Sequence, residues 1–143
     1  MSSPKFAESS VVETLVRLPA AQAHDAILKG LPLQDVLAAV SVGLRMSAAD
    51  TATVLDVAPR TMQRWRSENK KTLDSAPSNR FYRLMRVVKD LIEEFGTRDA
   101  AIDWLHEEQP ALGMRRPIDM MRTDPGASSV EDLIGRIRHG VYT

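Results

Sequence analysis

The chain has 143 residues, of which 43% are hydrophobic, and its 19 Lys and Arg balance 19 Asp and Glu. That apolar content suits one compact domain or two small ones and excludes an intrinsically disordered chain, while the zero net charge excludes a bulk polycation that coats nucleic acid or anionic lipid. With no cysteine present, disulfide scaffolds, thiol nucleophiles and Cys-based zinc sites are excluded together.

Helix signals dominate along the chain. Residues 1–19 begin Ser-rich and read as a flexible N-terminal segment, although apolar residues recur at Val12, Leu15 and Val16 before a break at Leu18-Pro19. From Ala20, a helix places Ala23, Ile27 and Leu28 on one face and stops at Gly30. Pro32 starts the next, where Leu33, Val36, Leu37, Val40 and Leu44 repeat at helical spacing. Ser47 is an N-cap for the stretch beyond it. The polar segment Lys70 to Ser78 marks a domain boundary, and Ser78 or Asn79 caps a longer helix running to Phe95. Thr97 caps another helix, residues 109–117 are mainly loop, and Pro117 to Met121 form a short helix. Asp124-Pro125-Gly126 reads as a turn, and Ser129 as the cap of a final helix from Val130 to Arg138. No apolar run approaches the ~18 residues of a membrane span, and the first ten residues hold no signal-peptide core. The expectation is an all-α, cytoplasmic protein with no membrane partner.

The stretch from Ser47 to Ser67 carries the pattern of a helix-turn-helix. Ala52 is the small residue over which a second helix can cross, and Leu55, Val57, Met62 and Trp65 supply the buried positions. Asp56-Val57-Ala58 forms the turn, with Asp at the position most often taken by Gly, and Pro59 opens the second helix. With Met62 and Trp65 inward, Arg60, Thr61, Gln63, Arg64 and Ser67 fall on the outer face. Arg can bond guanine O6 and N7 as a fork, and Gln can do the same with adenine. Lys70 and Lys71, just past the helix, suit phosphates better than bases. A solvated basic hairpin, or a helix-turn-helix kept only for binding protein, would share part of this pattern.

The C-terminal half runs Ala101-Ile-Asp-Trp-Leu105, Pro110-Ala-Leu-Gly113 and Pro117-Ile-Asp-Met-Met-Arg-Thr123, then Gly126, Val130, Leu133, Ile137 and Gly140-Val-Tyr142. This order resembles the toxin-binding domain shared by the Xre, ParS and MbcA antitoxins of bacterial toxin–antitoxin modules. With the upstream helix-turn-helix, the resemblance spans about Leu33 to Tyr142. Two departures stand out: Gly113-Met114 where the family often has paired Gly, and Met120-Met121 where Leu is common. The resemblance implies a helix-turn-helix DNA-binding domain over 20–77 and a helical toxin-binding domain over 78–143. It also implies an antitoxin that neutralises a RES-domain, NAD-consuming toxin by covering its active site and binds operator DNA to autorepress its operon. A homodimer is expected, because one helix-turn-helix reads only a half-site. Arg115, Arg116, Arg136, Arg138, Tyr142 and Thr143 are the candidate toxin contacts, Arg and Tyr being common interface anchors. A tail after Gly140 carrying Tyr142 and Thr143 could enter a partner's cleft.

Catalysis is not expected. His24, His106 and His139 lack ligand spacing, no phosphate-cradling Gly-rich loop is present, and Glu93-Glu94 and Glu107-Glu108 point in different directions on their helices. No catalytic residue, metal ligand or cofactor is assigned. The rival reading is a helix-turn-helix transcriptional regulator without a toxin partner, its C-terminal half serving dimerisation.

Overall fold

The computed structural model describes residues 11–140, and eight α-helices account for most of them. We label them α1 Ala20–Lys29, α2 Leu33–Ala38, α3 Ala48–Leu55, α4 Pro59–Ser67, α5 Ser75–Phe95, α6 Arg98–His106, α7 Pro117–Met120 and α8 Asp124–Arg138. Among the described residues the only strands are β1 Leu31–Pro32 and β2 Thr72–Leu73, which pair antiparallel with Leu31 opposite Leu73. Packing divides the chain into two units, Met1–Met85 and Arg86–Thr143. The dividing point lies inside α5, so the boundary expected between 77 and 78 falls near the start of a continuous helix.

In the first unit the core gathers Val36, Val40, Leu44, Val54, Leu55, Leu73, Phe81 and Leu84, all nearly inaccessible. The N-terminal segment differs from the expectation of flexibility. Val11–Arg17 forms a 3-10 helix whose Val12 and Leu15 are fully buried, three residues apart as a three-residue turn requires. The expectation for residues 1–10 lies outside the described residues. Leu28, expected on the buried face of α1, is 65% exposed, because that helix buries only the narrow stripe of Ala23 and Ile27. The helical spacing after Pro32 also proves less regular than read: α2 widens into a π-helical stretch, Ala39–Gly43, that turns Val42 outward at 76% exposure.

Two helix starts differ from the sequence reading for one reason, a proline inside the first turn. α5 begins at Ser75 instead of at Ser78 or Asn79, and Pro77 sits where a missing N–H costs nothing. Ser78 is instead fully buried, its hydroxyl donating to the Leu73 carbonyl at 3.3 Å. α8 begins at Asp124, with the Thr123 hydroxyl accepting from the Gly126 N–H at 3.1 Å, so Asp124-Pro125-Gly126 is its first turn and Ser129 lies within it. Gly126 is therefore a close-approach residue of a helix: a Cβ there would collide with the Met120 carbonyl oxygen of α7. The second unit closes over Leu91, Ile102, Leu105, Ile118, Val130 and Leu133.

Candidate functional site

α3 and α4 form a helix-turn-helix whose corner is fixed by hydrogen bonds. The Ser47 hydroxyl caps α3 by accepting from the Asp50 N–H at 3.0 Å. α3 ends in a Schellman motif: the Asp56 N–H donates to the Thr53 carbonyl at 3.1 Å and the Val57 N–H to the Ala52 carbonyl at 3.0 Å. This closure requires a left-handed residue, and Asp56 takes it at φ 53°, ψ 49°. Arg80 of α5 holds the same carboxylate at 3.9 Å. Pro59 then opens α4.

Trp65 is the buried residue of α4, at 5% exposure, and Ala52 beneath the crossing is 4% exposed. Val57 and Met62, expected to be buried, are half-buried. Trp65 thus anchors a helix that is otherwise polar, and it fixes which way the rest point. Arg60, Gln63, Arg64 and Ser67 follow the i, i+3, i+4, i+7 spacing of one helix face, and all four are exposed. Thr61 lies on the flank, half-buried.

The start of α4 runs against the helix macrodipole, while Arg64 and Arg66 in its last turn suit it. α2, α3, α6, α7 and α8 each carry an aspartate in the first turn and α1, α4 and α5 carry none, but of these helices only α4 places a cation, Arg60, there without an acid beside it. A cation at that end opposes the macrodipole by about 0.3–1 kcal/mol. Among the described residues, the Arg60 and Arg66 side chains make no hydrogen bond or ion pair. Arg64 meets Glu68 at 3.7 Å with both side chains more than half exposed, a contact worth little and readily exchanged. Arg66 was not singled out from the sequence. Its signal was available, since it lies one step round the helix from Gln63, beside the polar stripe.

A second Schellman motif ends α4. Asn69 is left-handed at φ 53°, and the Lys70 N–H donates to the Trp65 carbonyl at 3.0 Å. The Leu33 N–H donates to the Lys71 carbonyl at 2.9 Å beside the β1–β2 ladder. The backbone carrying both lysines is therefore held, while Lys70 Nζ meets Asp74 and Lys71 Nζ meets Asn69, each at 3.3 Å. The result is an exposed basic face on a fixed backbone, with arginine donors along α4 and the two lysines just past its end.

The candidate contacts of the second unit are placed differently. Arg138 donates from Nε to Glu94 at 2.6 Å and lies 3.4 Å from Glu93 and 3.6 Å from Asp90. The hydrogen bond to Glu94, with the nearby carboxylates, holds its pKa above the ordinary guanidinium value. Arg116 makes a fork to both Asp119 oxygens, at 3.0 and 2.9 Å, bracing the start of α7. Arg115 is exposed and reaches the Leu112 carbonyl at 3.4 Å. Arg136 is half-buried, and its Nε is covered without a hydrogen-bond partner. Tyr142 and Thr143 lie outside the described residues. Trp104 is half-buried with its ring 6.1 Å from Phe95. Met114 is left-handed at φ 61° directly after left-handed Gly113, and it is 54% exposed. Among the described residues no group of His, Asp or Glu could hold a metal, and no helix is long and apolar enough to cross a membrane.

Known proteins align with both units. Residues 22–86 match the antitoxin Xre-like helix-turn-helix domain, and residues 90–140 match the antitoxin Xre/MbcA/ParS C-terminal toxin-binding domain. A protein named Antitoxin Xre from Yersinia enterocolitica is 29% identical over 120 residues, 83% of this chain and 80% of that one. Another Antitoxin Xre, from Photorhabdus laumondii, is 34% identical over 79 residues, 54% of this chain and 53% of its own.

Proposed function

This chain belongs to the Xre/MbcA/ParS antitoxins, non-enzymatic proteins with an Xre-like helix-turn-helix and a toxin-binding domain, and from that premise we propose that it neutralises a RES-domain, NAD-consuming toxin and represses its own operon. Neutralisation works by occlusion: the second unit covers the toxin's active site with a protein surface. Repression works through the first unit, as a homodimer whose two α4 helices enter successive major grooves about 34 Å apart. The cytoplasm is the compartment in which both partners are met.

The observation that carries the DNA part is the face of α4. Arg60, Gln63, Arg64 and Ser67 stand exposed on one stripe, with an unfavourable cation at the helix start and no acidic residue to offset it. A sequence departs from local helix rules where function requires it. Lys70 and Lys71 serve phosphates. For the toxin part, the matched toxin-binding domain is the support, with Arg115 and Arg136 as contacts still open to a partner, Arg116 and Arg138 as residues that shape the surface, and Tyr142 and Thr143 as the tail that reaches into the cleft.

The test is co-expression with the toxin encoded beside it. Growth rescue, co-elution and a halt in NAD loss are expected. A toxin that keeps consuming NAD and never co-elutes contradicts the neutralisation reading. A gel shift with the chain's own promoter that weakens steeply with salt is expected for operator binding.

A further inference from the structure

The exposed flank of α8 carries two features that nothing within the fold explains. Gly135 lies within the last turn of the helix, where glycine is still less stable than alanine, yet a Cβ built there meets nothing within 4 Å. No turn, left-handed angle or neighbouring element calls for it. In Gly126, on the same helix, the missing Cβ does have an internal reason, the Met120 carbonyl. Next to Gly135, Arg136 keeps its Nε covered and unbonded, and among the described residues its side chain makes no hydrogen bond or ion pair. Asp132, one turn earlier, lines the same shallow depression with Glu131, Gly135 and His139, but does not pair with it. Nε itself is closed to water and so to any partner, but the terminal nitrogens of the same guanidinium are not covered and have no bond among the described residues, so an external carboxylate can reach them end-on.

We propose that this flank of α8 is a docking site on which a carboxylate-bearing segment of the toxin lies against the bare backbone at Gly135 and forms a fork with Arg136. The inference rests on the toxin-partner reading above and locates its contact. α8 lies within the residues that match a toxin-binding domain. The occupant must be acidic where it meets Arg136, because a guanidinium pairs with a carboxylate in two parallel hydrogen bonds. It must also come close at Gly135, because that is what an absent side chain permits.

The two substitutions that test it act on opposite quantities. Gly135→Ala fills open space in a helix and should raise the melting temperature of the full chain while weakening its affinity for the toxin, and Gly135→Leu should weaken it further. Arg136→Glu should weaken toxin binding by roughly tenfold or more with operator binding unchanged, and the affinities are compared well below the melting temperature, which the loss of a last-turn cation lowers slightly. Arg136→Lys, which keeps the charge and loses the fork, should fall between. The probe is an inactivated form of the toxin encoded beside the antitoxin, titrated against each full-length variant. If wild type binds it and Gly135→Leu and Arg136→Glu bind equally well, this inference alone is overturned. If the variants change self-association and not toxin affinity, the face belongs to a second copy and the inference is likewise overturned. If wild type itself does not bind, the toxin-partner reading fails and this contact with it.

Discussion

The same residue, arginine, is put to opposite uses at the C-terminal end of the chain and on α4. Arg138 is drawn into Asp90, Glu93 and Glu94, and Arg116 closes a fork on Asp119, so both charges are neutralised within their own unit. On α4, among the described residues, Arg60 and Arg66 meet no acid and Arg64 meets an exposed glutamate. Arginines committed inside a fold set its shape, whereas arginines left unmatched on a rigid helix are available to an external anion. Counting charge in the sequence does not tell these apart; the partners do.

Breaking the anchor beneath the unmatched set should have the largest effect. Trp65→Ala removes the buried residue of α4 and should cost about 3–5 kcal/mol, read as a lower urea midpoint, with operator binding abolished. The counterpart in the second unit is Gly126→Ala. Its Cβ collides with the Met120 carbonyl, so about 2–3 kcal/mol of stability and with it toxin neutralisation should be lost, while α4 still shifts DNA. Next comes the recognition face itself. Arg64→Ala should cost about 1–3 kcal/mol in operator binding and relax sequence preference, whereas Lys71→Ala should weaken all sequences more evenly. Equal losses for Arg64→Ala on operator and random DNA would contradict a base contact.

Smaller effects sharpen the contrast. Met114→Gly should stabilise the second unit by about 1 kcal/mol in thermal melts, because glycine takes the left-handed angle without the cost to a Cβ. The least effect is expected from Arg138→Gln, a modest drop in melting temperature that shrinks as salt is added, since the cluster is open to solvent. Because the raised pKa belongs to a guanidinium, that contribution is present throughout neutral pH and is lost in strong alkali, as the pH rises past the group's own titration.

Much of this was legible because the helix-turn-helix depends on local chemistry. Ser47 as a cap, Ala52 at the crossing, Asp56 at a left-handed corner and Pro59 at a helix start are each decided within a few residues, and each appears where the pattern put it. What was hidden depended on distant partners or on ambiguous residue types. Pro77 and Pro125 looked like breaks and are first-turn residues; Gly126 looked like a turn and is a packing contact; Val12 and Leu15 sat in a Ser-rich neighbourhood that hid their burial. The quiet charge of Arg138 was likewise invisible, because its pairing spans more than forty residues of sequence, whereas Arg116 pairs with Asp119 only three residues away and was open to a local reading. Met114 shows the reverse case: its departure from paired glycine was visible in the sequence, and its left-handed backbone supplies the reason glycine fits there.

The division of labour is tested most directly by the affinity of an Arg60→Ala, Arg64→Ala double variant for the toxin. With operator binding gone, its dissociation constant for the toxin should match that of wild type. A tenfold loss of toxin affinity in a variant that melts normally would contradict the assignment of the two activities to separate units.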